Sequence, residues 1–217
     1  MSTTQYHLAE LKIALDPLHP KHISPEIPAG HQVLDIGCGA GQTLIAKCAG
    51  RLSFGVDTDM PALRVGRELT SEVAFVCATA ESLPFGSGVF DMAISRVALP
   101  YTNIRQALAE IRRVVKPGGR VWLVMHKFSV PWKAAREAGW KGRLFFVYVI
   151  CNSVLFHFTG RSFGFFKRSY ESFQTGPGMT RALRAAGFEQ ITVQLQPYLV
   201  VTARKPALPL ANSSVAQ

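Results

Sequence analysis

Three glycines directly after a short apolar run are the part of this sequence best suited to bind a nucleotide-like ligand. The run 33–36 contains one acid, Asp35, and Gly37, Gly39 and Gly41 follow it. A strand, a glycine turn and a helix in that order place backbone N–H groups at the carboxyl edge of a sheet, where open α/β sheets bind such ligands. Glycine suits this turn because it tolerates positive φ and allows close approach of a ligand.

The spacing of these glycines narrows the class of ligand. A dinucleotide-binding fingerprint reads G-x-G-x-x-G, but here Gln42 stands in the place of its third glycine. The Gly-Lys-Ser/Thr sequence of a phosphate-binding P-loop is also missing after the turn. A plain tight turn remains the alternative interpretation, so the rest of the chain must decide.

A second acid ends the next predicted strand at the same edge of the sheet. Asp57 follows the strand predicted over 52–56, and its carboxylate can accept both hydroxyls of a ribose, as the acid of dinucleotide-binding folds does. A helix cap before Pro61 is the alternative role for this residue. Asp59 is the more natural N-cap, which leaves Asp57 for the ligand.

Alternating strand and helix signals predict an α/β fold with a parallel sheet and right-handed crossovers. The five strands of this part are predicted over 32–36, 52–56, 74–77, 90–95 and 120–125. The helix between the last two is predicted over 104–115 and is stopped by the Lys-Pro-Gly-Gly sequence that follows. After a break, a helix over 180–186 precedes two strands separated only by Gln196 and Pro197, which predicts a terminal antiparallel hairpin.

Four segments in order and spacing resemble class I S-adenosylmethionine (SAM)-dependent methyltransferases. They are 35–41, 54–57, 80–85 with 89–91, and 114–120. The resemblance covers most of the chain and is to the small enzymes that act on free metabolites, quinones and lipids, with a methyltransferase-11-like domain. It implies a Rossmann-like seven-stranded sheet with the terminal hairpin, a helical cap inserted after strand five, and SAM as the cofactor.

The resemblance also implies which residues bind the cofactor. They are Asp35, Gly37, Gly39, Gly41, Asp57, Thr58, Thr79 and Ala80. Asp35 stands where the family orients the glycine loop and the amino group of methionine. Thr79 is a departure, because the family often has an acid there that accepts from the adenine amine. A hydroxyl carries no charge and forms a weaker hydrogen bond, so weaker recognition of adenine is expected.

The catalytic candidates follow from the chemistry of methyl transfer. Displacement at a sulfonium needs alignment and exclusion of water, and the sequence shows no catalytic triad. Arg96, at the end of strand four, is a candidate for holding an anionic substrate, with a surface salt bridge as the alternative. His126 is a candidate general base because an imidazole titrates near neutral pH, with a structural histidine as the alternative. Tyr101 is expected to line the pocket.

The chain is divided by these patterns into five parts. They are an N-terminal helix and linker (1–30), the SAM-binding core (31–126), a helical and aromatic cap insertion (127–179), a C-terminal helix and hairpin that complete the core (180–205), and a flexible tail (206–217).

The cap insertion is the most individual part of the sequence. Residues 144–160 are almost long and apolar enough to cross a membrane, but Asn152, Ser153, His157 and Thr159 argue against a span. One interpretation is a buried cap helix with a solvated basic rim. A second is a pocket for a hydrophobic substrate whose aromatic and basic residues rest on an anionic membrane. A third is RNA binding by interleaved aromatic and basic residues.

Composition limits the classes of partner and function. The formal net charge of +10 favours acidic partners, and the four scattered cysteines lack metal-ligand spacing, so no metal site is predicted. Reduced thiols and the lack of a signal peptide predict a cytoplasmic protein, peripheral to the membrane under the second interpretation. The sequence predicts methyl transfer to oxygen or carbon of a small hydrophobic molecule. An RNA methyltransferase, or a SAM-binding partner subunit without activity, are the alternatives; nucleic acid is the less favoured partner, and the oligomeric state stays open.

Overall fold

Seven strands of the described residues form one mixed sheet. A computed structural model describes residues 3–50, 52–125, 139–164, 170–195 and 198–208. The strands are β1 (Val33–Ile36), β2 (Ser53–Asp57), β3 (Val73–Cys77), β4 (Phe90–Arg96), β5 (Val115–Met125), β6 (Glu189–Gln194) and β7 (Leu199–Arg204). Their order is β3-β2-β1-β4-β5-β7-β6; the first five are parallel, and β7 pairs antiparallel with β5 and β6. The predicted α/β sheet and terminal hairpin are confirmed.

Helices cover both faces of this sheet. They are α1 (Thr3–Leu15), α2 (Gln42–Lys47), α3 (Met60–Leu69), α4 (Ile104–Val114), α5 (Trp140–Thr159) and α6 (Gly176–Ala185), with a 3₁₀ turn at Leu99–Tyr101. Alternate residues of β5 divide between two cores, because successive side chains of a strand point to opposite faces. Leu123 belongs to the core under α4 and α6, whereas Trp122 and Val124 belong to the core under α2 and α3.

Two elements begin four or five residues earlier than the sequence predicts. α6 begins at Gly176 rather than at residue 180, because Thr175 caps it by accepting from the N–H of Gly178 (3.3 Å). β5 begins at Val115, which pairs with Phe90 before the register shifts across the Lys-Pro-Gly-Gly sequence. Glycine and proline hid both starts, because they disfavour the interiors of helices and strands and here lie in the first turn of α6 and inside the first part of β5.

The helix of the cap insertion buries five of its 20 residues, unlike the buried cap helix that was one interpretation of the sequence. α5 turns Tyr148, Val149, Asn152, Ser153 and Phe156 inward. Among the described residues it is also the one helix whose length and composition would allow it to cross a membrane. Residue 126 of the predicted core lies outside the described residues, and so do residues 127–138 and 165–169 of the predicted cap.

Candidate functional site

The glycine loop turns tightly at the carboxyl end of β1. Gly37, Gly39 and Gly41 all have positive φ (74°, 55° and 77°). A Cβ at Gly37 would collide with the Cβ of Ala98, and one at Gly41 would lie 2.7 Å from the ring of Phe75. The loop therefore requires glycine at both positions for its backbone path and for its packing.

Asp57 joins the end of β2 to this loop. Its Oδ2 accepts from the N–H of Gly39 (2.7 Å), and its Oδ1 accepts from the N–H of Asp59 (2.9 Å). Asp59 caps α3 by accepting from the N–H of Ala62 (3.4 Å), as the sequence favoured. A carboxylate oxygen has two lone pairs, so each oxygen of Asp57 can still accept from a ligand hydroxyl.

A cavity of about 550 Å³ opens beside Asp57, and we call it the Asp57 cavity. Five of the residues predicted to bind the cofactor line it: Gly37, Asp57, Thr58, Thr79 and Ala80. Arg96 and Tyr101, two of the three catalytic candidates, line it as well. The structure therefore brings most of the predicted site residues to one place.

A second cavity of about 500 Å³, which we call the Asp35 cavity, lies on the other side of the glycine loop. Asp35 and Gly39 line it together with Tyr6, His7 and Glu10 of α1. Gly37, Arg96 and Val97 line both cavities, so the two spaces meet at the end of β4. Of the predicted cofactor residues, Gly41 lines neither cavity and acts within the loop itself.

Arg96 is a partly buried cation at this meeting point. Its Nη2 lies 3.2 Å from Oε2 of Glu10, and the two side chains are 20% and 29% exposed. The salt bridge that was the alternative interpretation of Arg96 is therefore present, but it lies within the site rather than on the open surface. It also ties α1 across the mouth of the Asp35 cavity.

Asp35 is an acid held in an unfavourable environment. Burial raises the pKa of its carboxyl to about 7, the charge of Arg96 opposes that rise, and the charge of Asp57 adds to it. An ionised carboxylate without bulk water is costly, so burial favours the protonated acid below this pH. A cationic group in the Asp35 cavity would favour the ionised form.

Val97 has a strained backbone at the junction of the cavities. Its φ is +63°, which is an outlier for a β-branched residue. Its N–H donates to the carbonyl of Val124 (2.8 Å), which holds the turn after β4. Strain of this kind concentrates at functional sites. The sequence carried no signal for it, since valine is the wrong residue type for positive φ.

Two further residues of the site were missed by sequence reasoning. His7 of α1 is buried over the glycine loop, where the side-chain amide of Gln42 donates to its Nδ1 (2.8 Å). Glu81 accepts from the N–H of Asn103 (2.8 Å), so it links the loop after β3 to the start of α4. Glu81 lies in the segment 80–85 that carries the family resemblance, but the sequence did not indicate its role. Nothing in the sequence of α1 indicated that His7 belongs to the site.

Of the two remaining catalytic candidates, the structure describes Tyr101 but not His126. Tyr101 is 57% exposed at the rim of the Asp57 cavity, and burial together with the charge of Glu171 raises the pKa of its hydroxyl. His126 lies outside the described residues, so its role as a general base stays a prediction.

The fold and site together define a class of protein. A parallel sheet extended by an antiparallel hairpin, with a glycine loop after β1 and an acid after β2, is the architecture that the resemblance implied. The structure adds two cavities that meet beside this loop. The class is that of the Rossmann-like SAM-dependent methyltransferase fold.

Comparison with known proteins agrees with this class. Residues 34–123 match the family model described as methyltransferase domain. An uncharacterized methyltransferase of Bacillus subtilis is 38% identical over 113 residues, which are 46% of this chain and 43% of that protein. A ubiquinone/menaquinone biosynthesis C-methyltransferase of Cupriavidus taiwanensis is 38% identical over 118 residues, 50% of this chain and 48% of that protein. The chain thus spans about half the length of these relatives.

A solved structure extends the likeness of fold over nearly the whole chain. A SAM-dependent methyltransferase of Thermotoga maritima, a possible histamine N-methyltransferase, is 21% identical and covers 94% of this chain and 91% of its own, with a TM-score of 0.55. Residues 34–123 are therefore similar to a methyltransferase domain, and the chain has the fold of SAM-dependent methyltransferases.

Proposed function

We propose that this protein transfers a methyl group from SAM to oxygen or carbon of a small hydrophobic molecule. The observation that carries the proposal is the meeting of two cavities at Gly37, Arg96 and Val97, with Asp35 lining one cavity and Asp57 the other. Such an arrangement lets SAM span both cavities, with its adenosine beside Asp57 and its methionine part beside Asp35, and presents its methyl group to a substrate in the rest of the Asp35 cavity, as transfer by in-line displacement needs.

The described residues fit SAM on chemical grounds. Asp57 keeps lone pairs for the ribose hydroxyls, and Thr79 and Ala80 stand where adenine is expected in the same cavity. Asp35 and the glycine loop would hold the methionine part, whose ammonium offsets the cost of an ionised, buried carboxylate. SAM supplies an electrophilic methyl group when bound.

The chain's own residues would align the substrate and exclude water. The guanidinium of Arg96 reaches both cavities and is placed to hold an anionic group of the substrate. α1 covers the Asp35 cavity through the ion pair of Glu10 with Arg96, and Tyr101 stands at the rim of the other cavity. A proton released by the acceptor would go to His126 if that residue acts as predicted.

The small hydrophobic substrate is supported by the lining of the Asp35 cavity. Ile13, Ile23, Val124 and Tyr198 contribute apolar surface beside the polar groups of the loop. A relative that methylates carbon in ubiquinone and menaquinone biosynthesis, as its name states, supports the same kind of substrate. The alternatives of an RNA substrate and of an inactive SAM-binding subunit are tested by the same experiment as the main proposal.

That experiment is transfer of radiolabelled methyl from SAM into a cell extract, followed by separation into lipid, small-molecule, RNA and protein fractions. We expect label in the organic phase. The control is Gly39→Val, which puts a branched side chain at positive φ and close to His7 and Gln42. Label in RNA would contradict the proposed substrate. SAM binding without transfer to any fraction would favour the inactive subunit.

Replacing Thr79 by aspartate is expected to tighten SAM binding. The new carboxylate would accept from the adenine amine, and a charge-assisted hydrogen bond is about twice as strong as a neutral one. We expect a dissociation constant about three- to fivefold lower by calorimetry, the effect of about 1 kcal/mol. A SAM analogue with hypoxanthine in place of adenine lacks the amine and should gain nothing. Equal tightening of both ligands would remove Thr79 from the adenine site.

A further inference from the structure

One side of α5 presents a continuous row of exposed side chains, which we call the α5 stripe. It consists of Trp140, Leu144, Val147, Cys151, Val154, Leu155 and Phe158. These positions are three or four residues apart along the helix, with Leu155 beside Val154, so they lie on one side of it over its whole length. Phe158 is 67% and Trp140 is 72% exposed. A patch of this size on a soluble domain marks a surface that contacts something apolar.

The opposite side of α5 is built into the domain through apolar packing. Phe156 is fully buried against α6, and a Cβ at Gly178 would lie 2.5 Å from its ring. Gly160 ends α5 with a φ of +68°, and a Cβ there would lie 2.6 Å from the backbone N of Ala182. α5 and α6 therefore pack at the closest distance that glycine allows.

Polar groups on this inner side fix the helix as well. The Asn152 amide donates to the carbonyl of Glu171 (3.0 Å), and its Oδ1 accepts from the N–H of Phe163 (3.0 Å). The hydroxyl of Ser153 accepts from the N–H of Phe173 (2.8 Å). Two of the polar residues that argued against a membrane span, Asn152 and Ser153, thus form hydrogen bonds within the domain. A helix held in this way can lie on a membrane with its outer side and does not cross it.

The charges around the stripe indicate what covers it. Lys141 and Arg143 stand near its first end and Arg161 beyond its last, and residues 139–164 contain no acid. The whole chain has a formal net charge of +10. A second copy would bring like charges together at this surface, whereas an anionic bilayer offers both an apolar layer and opposite charge. Tryptophan beside lysine at one end also suits the headgroup region.

We infer that the α5 stripe docks the protein on anionic membranes, with its apolar side chains at the boundary of headgroups and acyl chains. This goes beyond the proposed function, because it assigns a surface rather than a reaction. Docking requires neither SAM nor substrate. A failed docking test would therefore leave the proposed methyl transfer standing, and a failed transfer test would leave docking standing.

The first test is co-sedimentation with vesicles of phosphatidylcholine and phosphatidylserine, compared with vesicles of phosphatidylcholine alone. We expect binding to the anionic vesicles that weakens in about 0.5 M salt, where the screening length falls to about 4 Å. The double variant Leu144→Gln, Phe158→Gln should bind at least about tenfold more weakly, because it removes apolar surface that enters the bilayer.

Matched controls separate loss of docking through α5 from a general loss of exposed apolar side chains and from unfolding. The variant Leu18→Gln, Leu52→Gln removes two exposed leucines away from α5 and should bind vesicles like the parent. Thermal unfolding checks that each variant is folded. Parent-like binding by the α5 variant, or no binding by the parent, would overturn the inference. So would a dimer of the parent in solution that the α5 variant loses, since the stripe would then be an interface between copies.

Two exposed cysteines allow a local measurement. Cys151 lies within the stripe and Cys77 ends β3, while Cys38 and Cys48 are buried. A polarity-sensitive fluorophore on Cys151 of a Cys77→Ser variant should shift to the blue when anionic vesicles are added. The same fluorophore on Cys77 of a Cys151→Ser variant should not respond. No shift at Cys151, or equal shifts at both sites, would contradict docking through the stripe.

Discussion

Replacing Asp35 by asparagine should make the ligand-free protein more stable at alkaline pH and remove tight SAM binding. Burial raises the pKa of this carboxyl from an ordinary 3.8 to about 7. The ionised acid is therefore a cost of the empty fold, which the isosteric amide does not carry. In the proposed complex, the same negative charge offsets the cationic groups of SAM.

The direction of the pH effect follows from proton binding. Between the ordinary pKa and about 7, the unfolded chain has lost the proton of Asp35 while the folded chain keeps it. The free energy of unfolding therefore falls as the pH rises through this window and levels off above it. Each pKa unit corresponds to about 1.36 kcal/mol, so the rise from 3.8 to about 7 makes the ionised Asp35 cost about 4 kcal/mol by about pH 8.

Chemical denaturation of parent and Asp35→Asn at several pH values measures this effect. We expect the two stabilities to be similar near pH 4, and the variant to exceed the parent by about 4 kcal/mol near pH 8. Calorimetry with SAM should show parent affinity rising up to about pH 7 and a flat, weak profile for the variant. Parallel stability curves for the two proteins would show that Asp35 is not the titrating group.

Local chemistry explains why much of the sheet and loop could be predicted from the sequence. Asp59 was favoured over Asp57 as the helix cap, and the structure has this arrangement. The preference is decided within four residues, because the cap accepts from an N–H three positions ahead. The terminal hairpin was predictable for the same reason, since two residues separate its strands.

Contacts between distant parts of the chain could not be predicted in this way. Glu10 meets Arg96 across 86 positions, and nothing in either neighbourhood selects the other. The positive φ of Val97 is imposed by the packing of β4 beside β5 and runs against the residue type. The apolar run of α5 was evident in the sequence, but the side that it presents to solvent was not. That side is set by contacts with other segments, namely Gly178 against Phe156 and Asn152 with Glu171.

Replacing Asp57 by asparagine is expected to weaken SAM binding more than any other single change on the ribose side. The amide keeps the size of the side chain but loses the charge and one acceptor oxygen. Hydrogen bonds to a charged group contribute about 1.5–3 kcal/mol, so the dissociation constant should rise about 10- to 150-fold. Because Oδ2 also accepts from the N–H of Gly39 (2.7 Å), part of this loss will come from a less fixed glycine loop.

Asp59→Asn is the matched control, because it makes the same chemical change two residues away. Asparagine caps a helix as well as aspartate does, so α3 should keep its start at Met60. Calorimetric titration of both variants with SAM, beside their thermal unfolding, separates loss of the ligand contact from loss of the fold. We expect only Asp57→Asn to bind weakly while both unfold near the parent temperature. Equal SAM affinities for the two variants would mean that Asp57 serves the loop alone and that the ribose is held elsewhere.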